Sequence, residues 1–161
     1  MHRILALFLS VILSSCSTTT RPYVTALAKT SPPAEVATIS GYIPAENFFN
    51  PTRFHPDSLT VMCIDGTSLS SYFKSYGKGS RYPETVVVTP GWHRIGVLYD
   101  TSSGYVTDYV DLNAAAGKTY KLRGAQLSGR RGAVWIEDAD SGKKLDFDGA
   151  AGNAPALEGC P

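Results

Sequence analysis

What most constrains this chain is its punctuation: short runs rich in Val, Ile, Thr, Tyr and Trp, each cut off by a cluster of Gly, Pro, Asp, Asn or Ser. The runs cover residues 36–43, 59–65, 85–89, 92–99, 105–112, 119–122 and 133–138. β-Branched and aromatic side chains fit a pleated, half-buried surface, and turn residues at this spacing separate strands. No window carries a convincing amphipathic helical pattern; residues 112–116 come nearest, and Gly117 ends them. The expectation is an all-β chain, folded as a single antiparallel β-sandwich of about seven strands. At 161 residues, 43% of them hydrophobic, the chain has the length and apolar content of one such domain.

Alternation assigns faces within the runs. Between 92 and 99, His93, Ile95, Val97 and Tyr99 share one face while Trp92, Arg94, Gly96 and Leu98 share the other, so the first set is expected toward the core. In 59–64 both faces are apolar, Leu59, Val61 and Cys63 opposing Thr60, Met62 and Ile64, which implies a strand covered on both sides. Pro90-Gly91 before Trp92 and Asp140-Ser141-Gly142 before Leu145 read as hairpin turns.

Charge names no partner. Lys and Arg number 15 against 14 Asp and Glu, a formal net charge of +1, whereas a phosphate-binding domain needs a clustered basic excess. No nucleic-acid partner is expected. The amino terminus says more. His2 and Arg3 precede an apolar run from Ile4 to Leu13, broken by Ser10. That run is too short for a helix to span a hydrocarbon core about 30 Å thick, and it reads as the apolar part of a secretory signal.

Leu13-Ser14-Ser15-Cys16 then resembles the lipobox of bacterial lipoproteins. The resemblance implies that residues 1–15 are a signal peptide, cut off before Cys16. Cys16 would carry lipid on its sulfur and acylation on its new amino terminus, which anchors the body to a membrane without spanning it. Ser17, where Asp would retain the protein, implies an outer-membrane lipoprotein facing the periplasm. The alternative is a plain secretory signal with an incidental Cys, and no A-x-A-like site follows near by. Residues 16–34, with Ser/Thr runs and prolines at 22, 32 and 33, are expected to form a flexible tether of roughly 25 Å. Residues 35–149 would be the sandwich domain and 150–161 a C-terminal tail. With Cys16 lipidated, Cys63 and Cys160 form an even pair in an oxidising compartment. A disulfide between them would close a loop of roughly 100 residues, stabilise the fold by about 4–5 kcal/mol and pin the tail. A buried free thiol at Cys63, or contact of Cys160 with a partner chain, is the alternative.

The block from Val86 to Val97 (Val-Val-Val-Thr-Pro-Gly-Trp-His-Arg-Ile-Gly-Val), followed by Val110-Asp111-Leu112 and by Ala116-Gly117-Lys118-Thr119-Tyr120-Lys121-Leu122, is similar to the repeat of PEGA-type β-sandwich modules of bacterial lipoproteins. Ile136-Glu137-Asp138 with Ser141-Gly142-Lys143 extends the similarity to about residues 84–146. It implies an immunoglobulin/transthyretin-like sandwich and no particular chemistry.

Candidate chemistry is sparse. His93 falls on the expected core face and reads as a hydrogen-bonded structural residue. His55 and Asp57, as His-Pro-Asp, offer two groups that could hold a zinc or orient a base, without a third ligand placed by sequence. No Gly-x-Ser-x-Gly nucleophile setting occurs. Lys74 to Arg81 lacks the first Gly of a phosphate loop, and the Asp138, Asp140, Asp146, Asp148 cluster has Lys143 where a calcium loop needs Gly. Lys118, Lys121, Arg123, Arg130 and Arg131 read as a solvated surface split between faces. Aromatic rings interleaved with cations, Tyr72, Phe73, Lys74, Tyr76, Lys78, Arg81 and Tyr82, are the best binding candidate, suited to sugar rings, peptides or anionic glycans. The expected function is a lipid-anchored, non-catalytic cell-envelope module that needs no cofactor and binds an envelope protein, peptide or glycan. The alternative is a periplasmic hydrolase or metal-dependent enzyme using the His55/Asp57 loop.

Alkylation of the unreduced, denatured chain is expected to leave both Cys63 and Cys160 unlabelled, and prior reduction to expose the two thiols; labelling of either without reduction would rule out the bridge.

Overall fold

A computed structural model describes residues 22–43, 58–69, 82–101, 104–127 and 132–145. These form ten strands: β1 (Tyr23–Val24), β2 (Ala37–Ser40), β3 (Ser58–Ile64), β4 (Thr67–Ser68), β5 (Thr85–Val88), β6 (Gly91–Thr101), β7 (Gly104–Ala114), β8 (Thr119–Gln126), β9 (Gly132–Asp138) and β10 (Lys144–Leu145). Helix is limited to two single 3-10 turns, Ala28–Thr30 and Pro33–Glu35. The all-β expectation holds.

Two sheets result, one of six strands in the order β1-β5-β2-β8-β9-β10 and one of four in the order β4-β3-β6-β7. The strand count and the pairing differ from the expected seven antiparallel strands. β1 runs parallel to β5 and β2 parallel to β8, so the six-stranded sheet is mixed. Parallel neighbours are joined by long excursions, which leave no mark in the local sequence. The additional strands, β1, β4 and β10, have two residues each, too few to show a period of two. β1 also places order ahead of Glu35, inside the stretch that reads as tether: Tyr23 pairs with Val86, and Ala28 is buried.

One hydrophobic cluster draws on both sheets. Ile39, Val86, Val88, Leu122 and Ile136 come from the first, and Leu59, Val61, Ile95, Val97 and Leu112 from the second. β2 and β5 alternate buried with half-buried residues, and His93, Ile95, Val97 and Tyr99 of β6 are all buried, as the period-two reading required. Leu112 and Ala114, in the stretch nearest a helical pattern, instead alternate inward along β7, and Gly117 at φ +70° turns the chain into β8.

Two local expectations are corrected. Pro90-Gly91 does not close a hairpin. β5 pairs within the six-stranded sheet and β6 within the other, and Gly91, at a φ of +124° that favours glycine, carries the chain across. The Asp140-Ser141-Gly142 turn does join the antiparallel pair β9 and β10. In β3, the register slips between Val61, opposite Val97, and Cys63, opposite Gly96. This bulge puts one extra residue into the strand and reverses the faces beyond it. Ile64 therefore joins Leu59 and Val61 in the core cluster, while Cys63, 1% exposed, shares the outer face with Thr60.

A backbone seam links the sheets. Tyr42 and Leu59 exchange N–H···O bonds of 2.9 and 2.7 Å, the Gly41 N–H donates to Glu84 O at 2.6 Å, and the Val61 N–H donates to Pro83 O at 3.0 Å. Any Cβ at Gly41 would collide with the Leu59 carbonyl, which is backbone and cannot step aside. Gly41→Ala is expected to destabilise the protein by about 1–3 kcal/mol or more, measured by urea denaturation.

Candidate functional site

Most of the aromatic and basic set chosen from sequence, Tyr72, Phe73, Lys74, Tyr76, Lys78 and Arg81, lies outside the described residues, as do Cys16, Cys160, His55 and Asp57. Tyr82 is described and is half-buried ahead of β5. The chemistry that can be built from geometry lies on β6 to β9.

His93 is held at both ring nitrogens. Nδ1 stands 2.7 Å from Asp65 Oδ2 and Nε2 stands 2.7 Å from the Thr89 carbonyl. A ring carrying hydrogens on both nitrogens donates to each of these acceptors. Asp65 owes its position to a two-residue turn, Asp65-Gly66, whose φ values of 48° and 74° are those of a type I′ hairpin between β3 and β4. Its second oxygen accepts the Arg94 backbone N–H at 2.9 Å. Arg94 in turn grips Asp111 with two parallel bonds, Nε to Oδ1 at 2.7 Å and a terminal nitrogen to Oδ2 at 2.8 Å. The chain Thr89, His93, Asp65, Arg94, Asp111 thus ties two turns to β6 and β7. With both ring nitrogens 2.7 Å from protein oxygens, His93 is turned to its own neighbours, and the cluster acts as a clamp. Among the described residues, no group of three or more His, Cys, Asp or Glu side chains is arranged to hold a metal.

A second constellation lies on the outer face of the six-stranded sheet. The register pairs Lys121 with Glu137 and Arg123 with Trp135 across β8 and β9, and Lys144 of β10 with Glu137. Residues of equal parity share a face, so Lys121, Arg123, Trp135, Glu137 and Lys144 stand together. Glu137 receives the Arg123 Nε–H at 2.8 Å and the Trp135 indole N–H at 3.0 Å. These bonds, the Arg123 one first, hold its carboxyl below the usual carboxylate range, and the Lys121 charge adds to the effect. The Lys144 ammonium lies 5.6 Å from the centre of the Trp135 ring, a contact worth about 0.5–1 kcal/mol at an exposed site. What results is an indole plate, oriented by one carboxylate, with Lys144 over its ring and two further cations on the same face.

Sequence reading had Lys121 and Arg123 within a basic run split between faces, whereas their spacing of two puts them on one. Lys118 turns elsewhere, to Asp140 at 2.8 Å and Asp138 at 3.6 Å. Asp138 is held below the carboxylate range chiefly by the Ser141 backbone N–H, then by the Ser141 hydroxyl. The Asp138/Asp140 pair is thereby committed to its own turn and to Lys118. Neither Trp135 nor Lys144 was singled out from sequence, because what brings them together is the β9–β10 register. No protein-family model, curated protein or solved structure matches this chain.

The Arg94 bonds hold the Asp111 carboxyl below its ordinary range; burial opposes this and the Arg94 charge reinforces it. A carboxylate with a depressed folded value stabilises the fold above its unfolded value of 3.8 and loses that contribution as pH falls through the folded one. Stability is therefore expected to drop as pH falls below about 4, and Asp111→Asn to cost roughly 1 kcal/mol at pH 7 while flattening the acid limb. Urea denaturation of both forms at pH 7 and pH 3 checks this.

Proposed function

We propose that this chain is a lipid-anchored, non-catalytic module of the bacterial cell envelope. In this reading Cys16 carries the lipid, the protein sits at the outer membrane facing the periplasm, and residues 35–149, with β1 ahead of them, are a PEGA-like, immunoglobulin/transthyretin-like β-sandwich. Its task is to bind another envelope component, a protein, peptide or glycan. One observation carries the non-catalytic part. The described residue best suited to acid–base work, His93, has both nitrogens engaged by Asp65 and Thr89; Asp65 also accepts the Arg94 backbone N–H, and the Arg94 side chain is held by Asp111. Among the described residues, the face at Trp135 offers chemistry of a kind that binds, cations beside a ring.

The Cys63–Cys160 bridge belongs to the same proposal. Cys63 is 1% exposed. It lies on the outer face of the four-stranded sheet rather than between the sheets, where a staple to the C-terminal tail needs no opening of the core.

The anchor is tested by fractionation. The native chain is expected in the membrane pellet, resistant to high salt and released by detergent, with globomycin causing a longer precursor to accumulate. Cys16→Ala should abolish processing and lipid labelling. Unchanged processing and fractionation in Cys16→Ala, with no response to globomycin, would overturn the lipoprotein reading.

A further inference from the structure

We infer that the outer face of the six-stranded sheet binds an acidic polysaccharide, one whose sugar rings carry carboxylates. The inference rests on the binding-module reading above and gives it a ligand class.

The register lays a straight row across five strands: Thr85, Ser40, Lys121, Glu137 and Lys144 are successive cross-strand partners from β5 to β10. At about 4.8 Å per step this row spans roughly 19 Å, the length of a few linked sugars. Arg123 and Trp135 form the next pair along the same two strands. Among the described strand residues of this face, Lys121, Arg123 and Lys144 face one carboxylate, Glu137, and Thr38, Ser40, Thr85 and Thr119 add hydroxyls. The charge excess calls for an anion, while the hydroxyls and the indole plate suit the polar edges and flat faces of sugar rings.

The cations remain able to bind. Lys121 is exposed, and the bond from Arg123 to Glu137 uses Nε, which leaves the terminal N–H groups of the guanidinium for a ligand carboxylate. Lys144, the roof over Trp135, is a long exposed side chain on a two-residue strand. A ligand carboxylate lying beside the ring would meet the Lys144 ammonium there. Glu137 holds the indole N–H and so fixes the plate; it is a positioning residue. An acidic peptide would instead seek the backbone groups of a sheet edge.

Full-length chain in detergent, run through gels containing alginate, dextran or polyglutamate, tests the inference. Retardation by alginate alone is expected, weakening as salt rises. Lys121→Gln/Lys144→Gln, which alters only exposed side chains, should reduce alginate affinity at least tenfold, and Trp135→Ala should reduce it further. Circular dichroism establishes that each variant is folded. Absence of alginate retardation, equal retardation by polyglutamate, or unchanged affinity in the double lysine variant would overturn the site. Shortening of the alginate during incubation would instead overturn the non-catalytic reading while leaving the site in place. Loss of the anchor in fractionation would leave both untouched.

Discussion

The seam between the sheets is the constraint on which the rest depends. Burying apolar faces favours bringing two sheets together but does not say where. Here position is set by backbone hydrogen bonds, Tyr42 with Leu59 and Val61 with Pro83, and the close approach at Gly41 leaves no room for a side chain. Once this side is fixed, Ile39 and Val86 face Val61 and Val97 across one cluster. Tyr99 of β6, buried and paired with Leu59, lies against Gly124 of β8 and Gly132 of β9, where an added Cβ would stand 3.1–3.2 Å from its ring. Glycine thus makes room for sheet contact twice, once for backbone and once for a large ring.

Polar groups are arranged in two distinct ways on this frame. The His93 cluster runs from a buried imidazole to half-exposed partners, and each member engages the next. Because β6 is the strand that connects the sheets through Gly91, tying its first residues to the Asp65-Gly66 turn and to β7 holds the crossing in place. The Trp135 face is external. Its carboxylate is enclosed by an arginine and an indole, and its cations point toward solvent. A satisfied cluster contributes rigidity, whereas a face with excess charge of one sign attracts an oppositely charged ligand.

Legibility from sequence varied with the range of the interaction involved. Alternation along β6 was readable because period two is a local property, and it placed His93, Ile95, Val97 and Tyr99 correctly. The same rule failed in β3, where the bulge at Met62 shifts the register and moves Cys63 to the other face, and nothing in Val61-Met62-Cys63 announces it. Pro90-Gly91 was recognised as a turn, but whether a turn folds a strand back on its neighbour or passes it to a second sheet depends on which strands pair, and that is not local. Lys121 and Arg123 were visible as a spaced pair; Trp135 and Lys144 became their neighbours only through the β8–β9–β10 register.

By itself the sequence determined that this chain makes strands, where its turns fall, and that its side-chain charges nearly cancel. Each of these depends on neighbouring residues: side-chain shape, backbone permissiveness at Gly and Pro, and short motifs. The tertiary structure alone decided that two of the pairings are parallel, that Cys63 leaves the core face, that His93 has both nitrogens occupied, and that three cations share a face with one tryptophan. Those outcomes depend on pairing between segments far apart in the chain, such as β2 with β8 and β3 with β6. The energy of such a pairing is gained only when both partners arrive, so no single stretch of sequence records it.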